Sequence, residues 1–197
     1  MPLILPKEGV FEYEEKRSKF LGYCAPVSTD EAARTVIAEI RAAHPKANHN
    51  VFAYEITAGN VVRMSDDGEP HGTAGMPVLT VFQKTGVINY VCVVTRYFGG
   101  TLLGAGGLVR AYTRAAKGAM ENAAPEELVI SKEYGVVCGY SNFDKVKYDF
   151  EKLGVEILGV EYTDVCTLTV RVTEVIEPSF MEVMCLPYLT LNPTAHR

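Results

Sequence analysis

No apolar run in this chain approaches the roughly 20 residues that a membrane-spanning helix needs. The opening Met1-Pro2-Leu3-Ile4-Leu5-Pro6-Lys7-Glu8 has no basic n-region, and its apolar stretch is too short for a secretory signal. A cytoplasmic protein with no membrane partner is therefore expected. Paired cysteines are missing too. Cys24, Cys92, Cys138, Cys166 and Cys185 are odd in number and widely spaced, with no Cys-x-x-Cys. That argues against a disulfide framework or a structural zinc site, and leaves reduced thiols packed as small hydrophobes. There is no Gly-Lys-Ser/Thr of a Walker loop and no Gly-x-Ser-x-Gly elbow. No cofactor, metal or catalytic residue is expected.

Acidic residues are absent from Pro70 to Met120, while Lys84, Arg96, Arg110, Arg114 and Lys117 lie inside that stretch. The chain as a whole carries a net charge of −5, which excludes indiscriminate coating of nucleic acid. Nothing in it signals DNA specificity. At 197 residues with 48% apolar and 22% charged content, it has enough material for one large or two small cores.

Alternation at Phe11-Glu12-Tyr13-Glu14 and again at Phe20-Leu21-Gly22-Tyr23-Cys24 predicts two strands joined by the basic bend Glu15-Lys16-Arg17-Ser18-Lys19. Ser28 with Glu31 predicts a capping box, and Ala33, Val36, Ile37 and Ile40 form one helical face before Pro45. Residues 51–56 and 61–64 flank the hairpin signal Ala58-Gly59-Asn60. Pro77 and Gly86 predict a helix between them, although Val78, Thr80 and Val81 also suit a strand. The run from Val87 to Tyr97 reads as a central strand. It leads through a Gly-rich turn into an alanine-rich helix with Leu108, Tyr112, Ala115 and Ala119 inward. Arg110, Arg114 and Lys117 form a basic stripe on another face of that helix.

Character changes near Pro125-Glu126-Glu127. Residues 131–197 hold 6 Lys+Arg against 10 Asp+Glu, a net −4. Their βαββαβ order predicts a ferredoxin-like domain. The fold class is thus α+β in two domains: a mixed-sheet N-terminal α/β domain over 1–128 and the small domain over 133–197.

Two constellations bear chemistry. Gly104, Gly106 and Gly107 let a ligand approach the backbone where a helix starts, and free N–H groups there favour an anion such as phosphate. The same glycines also suit a tight turn packed on the sheet. Asp66, Asp67, Glu69 and His71 cluster three carboxylates and an imidazole, as metal binding or acid–base work would need. An Asp-Asp-Gly turn is equally an ordinary solvated loop. Cys24, Cys92, His44 and His49 read as structural.

Longer motifs carry a resemblance. Residues 65–75 (Ser-Asp-Asp-Gly-Glu-Pro-His-Gly-Thr-Ala-Gly), Arg96-Tyr97-Phe98-Gly99-Gly100, and residues 103–112 (Leu-Gly-Ala-Gly-Gly-Leu-Val-Arg-Ala-Tyr) resemble the IMPACT family in its bacterial, YigZ-type form. Lys16-Arg17-Ser18-Lys19-Phe20 is similar to that family's basic motif, and Ala53-Tyr54 sits where an Ala-Tyr pair is usual. Val51 stands where the family often has cysteine. The resemblance implies an N-terminal domain of the type found in elongation-factor domain IV and a small-subunit ribosomal protein, with a ferredoxin-like domain behind it. It also implies a link to translation regulation; eukaryotic members oppose activation of a stress-responsive translation kinase. No catalytic residues come with it.

The reading reached is a non-catalytic, translation-associated regulatory factor. It would bind RNA, the ribosome or a translation-related protein through a groove of Lys16, Arg17, Lys19, Arg96, Gly104, Gly106, Gly107, Arg110, Arg114 and Lys117. The alternative is a small metal-assisted hydrolase or phosphate-binding enzyme using Asp66, Asp67, Glu69 and His71.

Overall fold

The N-terminal unit begins with a short strand, Leu3–Ile4 (β1), and the expected hairpin of Gly9–Glu15 (β2) and Ser18–Pro26 (β3). Then come Asp30–Ala43 (α1), His49–Ile56 (β4), Val61–Ser65 (β5), Gly75–Thr85 (α2), Tyr90–Tyr97 (β6), Ala105–Ala123 (α3) and Glu126–Glu127 (β7). These come from a computed structural model, which describes residues 1–192; the last five residues of the expected 133–197 domain lie outside them. The chain forms two compact units, Met1–Leu128 and Val129–Arg197. The α+β class and the two-unit architecture hold.

In the first unit five strands pair in the order β2-β3-β6-β4-β5. Every ladder is antiparallel, so the expected mixed sheet is corrected. Strands joined through a helix, β3 with β4 and β5 with β6, run the same way, but another strand lies between the members of each pair, so neighbours remain antiparallel. Strand β6 is central and buried along all but its last residue, because helices cover both faces. On one face α2 and α3 pack over Phe20, Cys24, Val51, Cys92 and Val94. On the other, α1 packs over Ala25, Tyr54, Ile56, Val91 and Val93. Period-2 alternation along β3, β4 and β6 sorts those two sets.

Helix α1 is capped by Thr29, whose Oγ1 accepts from the Ala32 N–H at 3.1 Å, and not by Ser28 as the box motif suggested. With the cap one residue later, Asp30 and Glu31 occupy the first turn, where the dipole favours them. Helix α2 starts at Gly75, two residues before Pro77, and ends at Gly86 in the left-handed conformation with φ 77°. Helix α3 lies unusually close to the sheet. A Cβ on Gly22 would come within 2.4 Å of the Ala115 carbonyl oxygen. Ala111, Ala115 and Ala119 face it with side chains short enough to allow the approach.

The second unit comprises Ser131–Cys138 (β8), Tyr140–Leu153 (α4), Glu156–Tyr162 (β9), Cys166–Thr173 (β10), Glu177–Met184 (α5) and Leu189–Asn192 (β11). Its antiparallel order β11-β8-β10-β9 is that of a ferredoxin-like sheet. Along β10, buried Cys166, Leu168, Val170 and Val172 alternate with Thr and Arg, so one face carries the core.

Four of the five cysteines face each other across strands, Cys24 opposite Cys92 and Cys138 opposite Cys166. Burial pushes the Cys24 thiol up to about 12 and Cys92 well above its usual range, as fits packing residues.

Gly22→Ala should force α3 off the sheet and destabilise the N-terminal unit by about 1–3 kcal/mol. Urea unfolding would show this as a lowered midpoint; an unchanged midpoint would contradict the close approach.

Candidate phosphate-binding groove

Helix α3 begins where Gly104 turns the chain with φ 73°, and its first internal bond runs from the Leu108 N–H to the Gly104 carbonyl at 2.9 Å. The N–H groups of Ala105, Gly106 and Gly107 precede that bond and point out of the helix. No acidic residue occupies the first turn. The helical period then places Gly107, Arg110, Ala111 and Arg114 along one side.

That side meets the hairpin tip. Tyr13, Glu15, Lys16 and Leu103 complete a hollow of about 250 Å³ with those four residues. Tyr13 is fixed in two ways. Its hydroxyl donates to the Ala111 carbonyl at 2.7 Å, and the Arg114 guanidinium lies over its ring at 4.6 Å. Lys16 and Arg17 both adopt positive φ, 48° and 65°, at the tip. Non-glycine residues hold that conformation only when their surroundings impose it, at a cost on the order of 1 kcal/mol each. The restraint is visible: a Cβ on Gly99 would sit 1.9 Å from the Arg17 carbonyl oxygen, and the Gly99 N–H donates to Ser18 Oγ at 3.2 Å. Lys16, Arg110 and Arg114 against Glu15 leave the walls positive.

Of the expected groove residues, Lys16, Gly107, Arg110 and Arg114 come together. Gly104 and Gly106 flank the hollow at the helix start. The others go elsewhere for identifiable reasons. Lys19 precedes inward-facing Phe20, so alternation turns it to the opposite face of the sheet, where it bridges Glu12 at 2.5 Å. Arg17 is exposed at the tip and does not line the hollow. Lys117 lies one turn further along α3, exposed and 3.6 Å from Glu121.

Arg96 is the main correction. It is only 5% exposed, because it continues the inward set of Cys92 and Val94 on β6. Its Nη1 donates to Glu69 Oε1 at 2.6 Å and its Nη2 to Ser18 Oγ at 3.3 Å, between the rings of Phe20 and Phe98. A buried, neutralised guanidinium is not available to an exposed phosphate.

The acidic loop does not gather into one site either. Asp66 accepts from the backbone N–H groups of Gly72 (2.9 Å), Ala74 (3.1 Å) and Gly75 (2.8 Å), and so caps the start of α2. Asp67 accepts from Arg41 at 2.8 Å and from the Asn50 N–H at 2.6 Å. Glu69 turns inward to Arg96 and also accepts from the Tyr112 hydroxyl at 2.7 Å. Burial, then that bond, push the Tyr112 phenol far above its usual range. His71 is fully exposed, 3.8 Å from Asp66. Among the described residues no group of three His, Cys, Asp or Glu side chains is placed to hold a metal. His44 shares a hydrogen bond with the Tyr97 hydroxyl at 2.9 Å, and His49 Nδ1 bonds the Asp67 carbonyl at 2.8 Å; both are structural. Tyr13 and Leu103 were not foreseen in the groove, although Tyr13 shares the inward phase of Phe11 on β2.

Comparison with known proteins fits the two-unit architecture. The Impact N-terminal domain matches residues 16–120, and a domain of unknown function, DUF1949, matches residues 136–183. An IMPACT family member from Haemophilus influenzae is 39% identical over 159 residues, covering 79% of this chain and 77% of the relative. The chain belongs to the IMPACT family. The family member YigZ of Escherichia coli is 34% identical over 163 residues, covering 81% and 80%. A crystal structure of a hypothetical protein superposes with a TM-score of 0.63 at 29% identity, covering 99% of this chain and 98% of that one. The matched Impact N-terminal span holds both the basic residues of the groove and the Glu69–Arg96–Tyr112 cluster beneath it.

Burial raises the pKa of Asp66, but its three backbone N–H bonds, with His71 nearby, bring it below the ordinary 3.8. A depressed carboxylate contributes stability above its unfolded pKa and loses it as pH falls through the folded one. Asp66→Asn should therefore cost about 1–2 kcal/mol at neutral pH, as lost helix caps do. The gap from the parent protein should close as pH is lowered below about 4; a gap independent of pH would contradict this.

Proposed function

We propose that this IMPACT-family protein is a non-catalytic, translation-associated regulatory factor that holds RNA by its phosphates in the groove between α3 and the β2–β3 hairpin tip. One observation carries the reading: Lys16, Arg110 and Arg114 surround a hollow that opens beside the uncapped N-terminus of a 19-residue helix. Helix N–H groups, the positive end of the dipole and three cations all favour the same ligand charge there. The family's translation-related regulatory role supports RNA as the source of that charge. A cytoplasmic site of action follows from the role. No helix among the described residues is long and apolar enough to cross a membrane.

The division of charge on α3 supports binding over catalysis. Its buried face is mostly Ala, with Leu108, Tyr112, Gly118 and Met120, and Arg110 and Arg114 stand exposed at the rim, where they meet a ligand without first breaking buried bonds. Among the described residues the hollow is lined by one carboxylate, Glu15, and by no imidazole or thiol, so they offer charge and shape but no partnered nucleophile.

Three cations on phosphates predict that log K falls with log salt at a slope of about −2 on single-stranded RNA. Arg110→Glu with Arg114→Glu should remove most ribosome or RNA co-sedimentation, and the residual binding should have a slope no steeper than about −0.7. Both residues are exposed, so circular dichroism should be unchanged. Undiminished, salt-insensitive co-sedimentation would overturn the reading. Binding that survives nuclease treatment would assign the groove to a protein instead.

A further inference from the structure

A second hollow, of about 560 Å³, lies on the other face of the N-terminal sheet, between α1 and the β4–β5 hairpin. Its floor is apolar, made by Ile37, Ala38, Phe52, Tyr54 and Met64, and its rim carries Arg34, Arg41 and Arg63. The arginines differ in what they have left to offer. Arg34 bridges Asp30 at 2.7 Å and Arg41 bridges Asp67 at 2.8 Å. Arg63 makes no ion pair among the described residues, donating only to the Val62 carbonyl at 3.1 Å. Three guanidinium groups against two carboxylates leave one positive charge at the mouth of an apolar cleft.

The cleft borders an open strand. Among the described residues β5 ends the sheet and pairs only with β4, so there its outer N–H and C=O groups have no strand partner. Exposed edges are normally guarded by charge, Pro or a bulge. The opposite edge, β2, is guarded: it carries Glu12, Glu14 and Glu15, and Asn122 donates to the Val10 carbonyl at 2.6 Å. β5 is guarded less: it carries one charge, Arg63, which donates to the Val62 carbonyl, and Val62 and Met64 are 39% and 42% exposed. A base-stacking platform is disfavoured, because the ring faces are occupied. Arg41 lies over Phe52 at 5.7 Å, Phe52 stacks on Tyr54 at 6.1 Å, and Tyr54 is 3% exposed with its hydroxyl on Asp30.

We propose that β5 and this cleft dock an extended acidic segment of a partner polypeptide. The segment adds as a strand to β5, an apolar side chain enters the cleft, and a carboxylate pairs with Arg63. The site lies across the sheet from the α3 groove and does not depend on it.

The probe is a fluorescent octapeptide of alternating Asp and Leu, with the Lys-Leu octapeptide and a single-stranded RNA decamer as comparisons. A chain of net charge −5 repels acidic ligands globally, so preference for the acidic peptide is a stringent sign test. We expect the acidic peptide to bind and the basic one not. Backbone amide resonances of residues 61–65 should shift most. Arg63→Glu should weaken binding at least tenfold and Arg63→Ser severalfold, while Arg110→Glu with Arg114→Glu, which adds more negative charge overall, should weaken it far less than Arg63→Glu does. Equal binding of both peptides, no shifts at 61–65 at millimolar peptide, or an unaffected Arg63→Glu variant would overturn the proposal. Displacement of the peptide by the RNA decamer would reassign the cleft to nucleic acid.

Discussion

One buried ion pair ties the functional end of the N-terminal unit together. Glu69 from the acidic loop meets Arg96 from the end of β6 at 2.6 Å, and Tyr112 of α3 donates to the same carboxylate oxygen at 2.7 Å. The other arm of Arg96 reaches Ser18, which also receives the Gly99 N–H beside the hairpin tip. Loop, central strand, helix and hairpin are thus held by four side chains. Burying two charges is expensive, and geometry of this quality is needed to offset it; losing either partner leaves an uncompensated charge costing about 3–5 kcal/mol. The arrangement fixes α3 against the hairpin and so gives the groove its shape.

Above that brace, the molecule keeps its usable charge at the rim. Small residues on the inner face of α3 let the helix lie almost on the backbone of β3. Its cations then stand beside the strained Lys16-Arg17 tip instead of being held a side chain's length away. The sheet separates two surfaces of different chemistry. One face presents cations around a helix start, suited to phosphate. The other presents an apolar cleft and an open strand, suited to a polypeptide. The proposed RNA and polypeptide sites lie on opposite faces, so their ligands would not compete.

Much of the fold was legible because it follows from periodicity. The run around Val91 to Val94 marked a central strand, Gly86 a helix end, and the spacing of Leu108, Tyr112, Ala115 and Ala119 the buried face of α3. What stayed hidden depends on neighbours distant in sequence. Arg96 looked like a ligand-binding cation because its counter-charge, Glu69, is 27 residues away. Asp66 looked like a metal ligand because the three N–H groups it caps belong to a turn that sequence does not draw. Lys19 was misassigned although the evidence was local, since inward Phe20 sends it to the other face. The antiparallel order and the two facing cysteine pairs depend on strand neighbours that no single segment specifies.

The most direct test replaces Glu69 by Gln and measures affinity for single-stranded RNA at low salt, at a temperature where circular dichroism shows the variant folded. Coulomb's law alone says that removing a carboxylate near an anion site should strengthen RNA binding. If the buried pair shapes the groove, affinity should instead fall at least about fivefold, roughly 1 kcal/mol. Affinity that rises or holds steady would contradict the account.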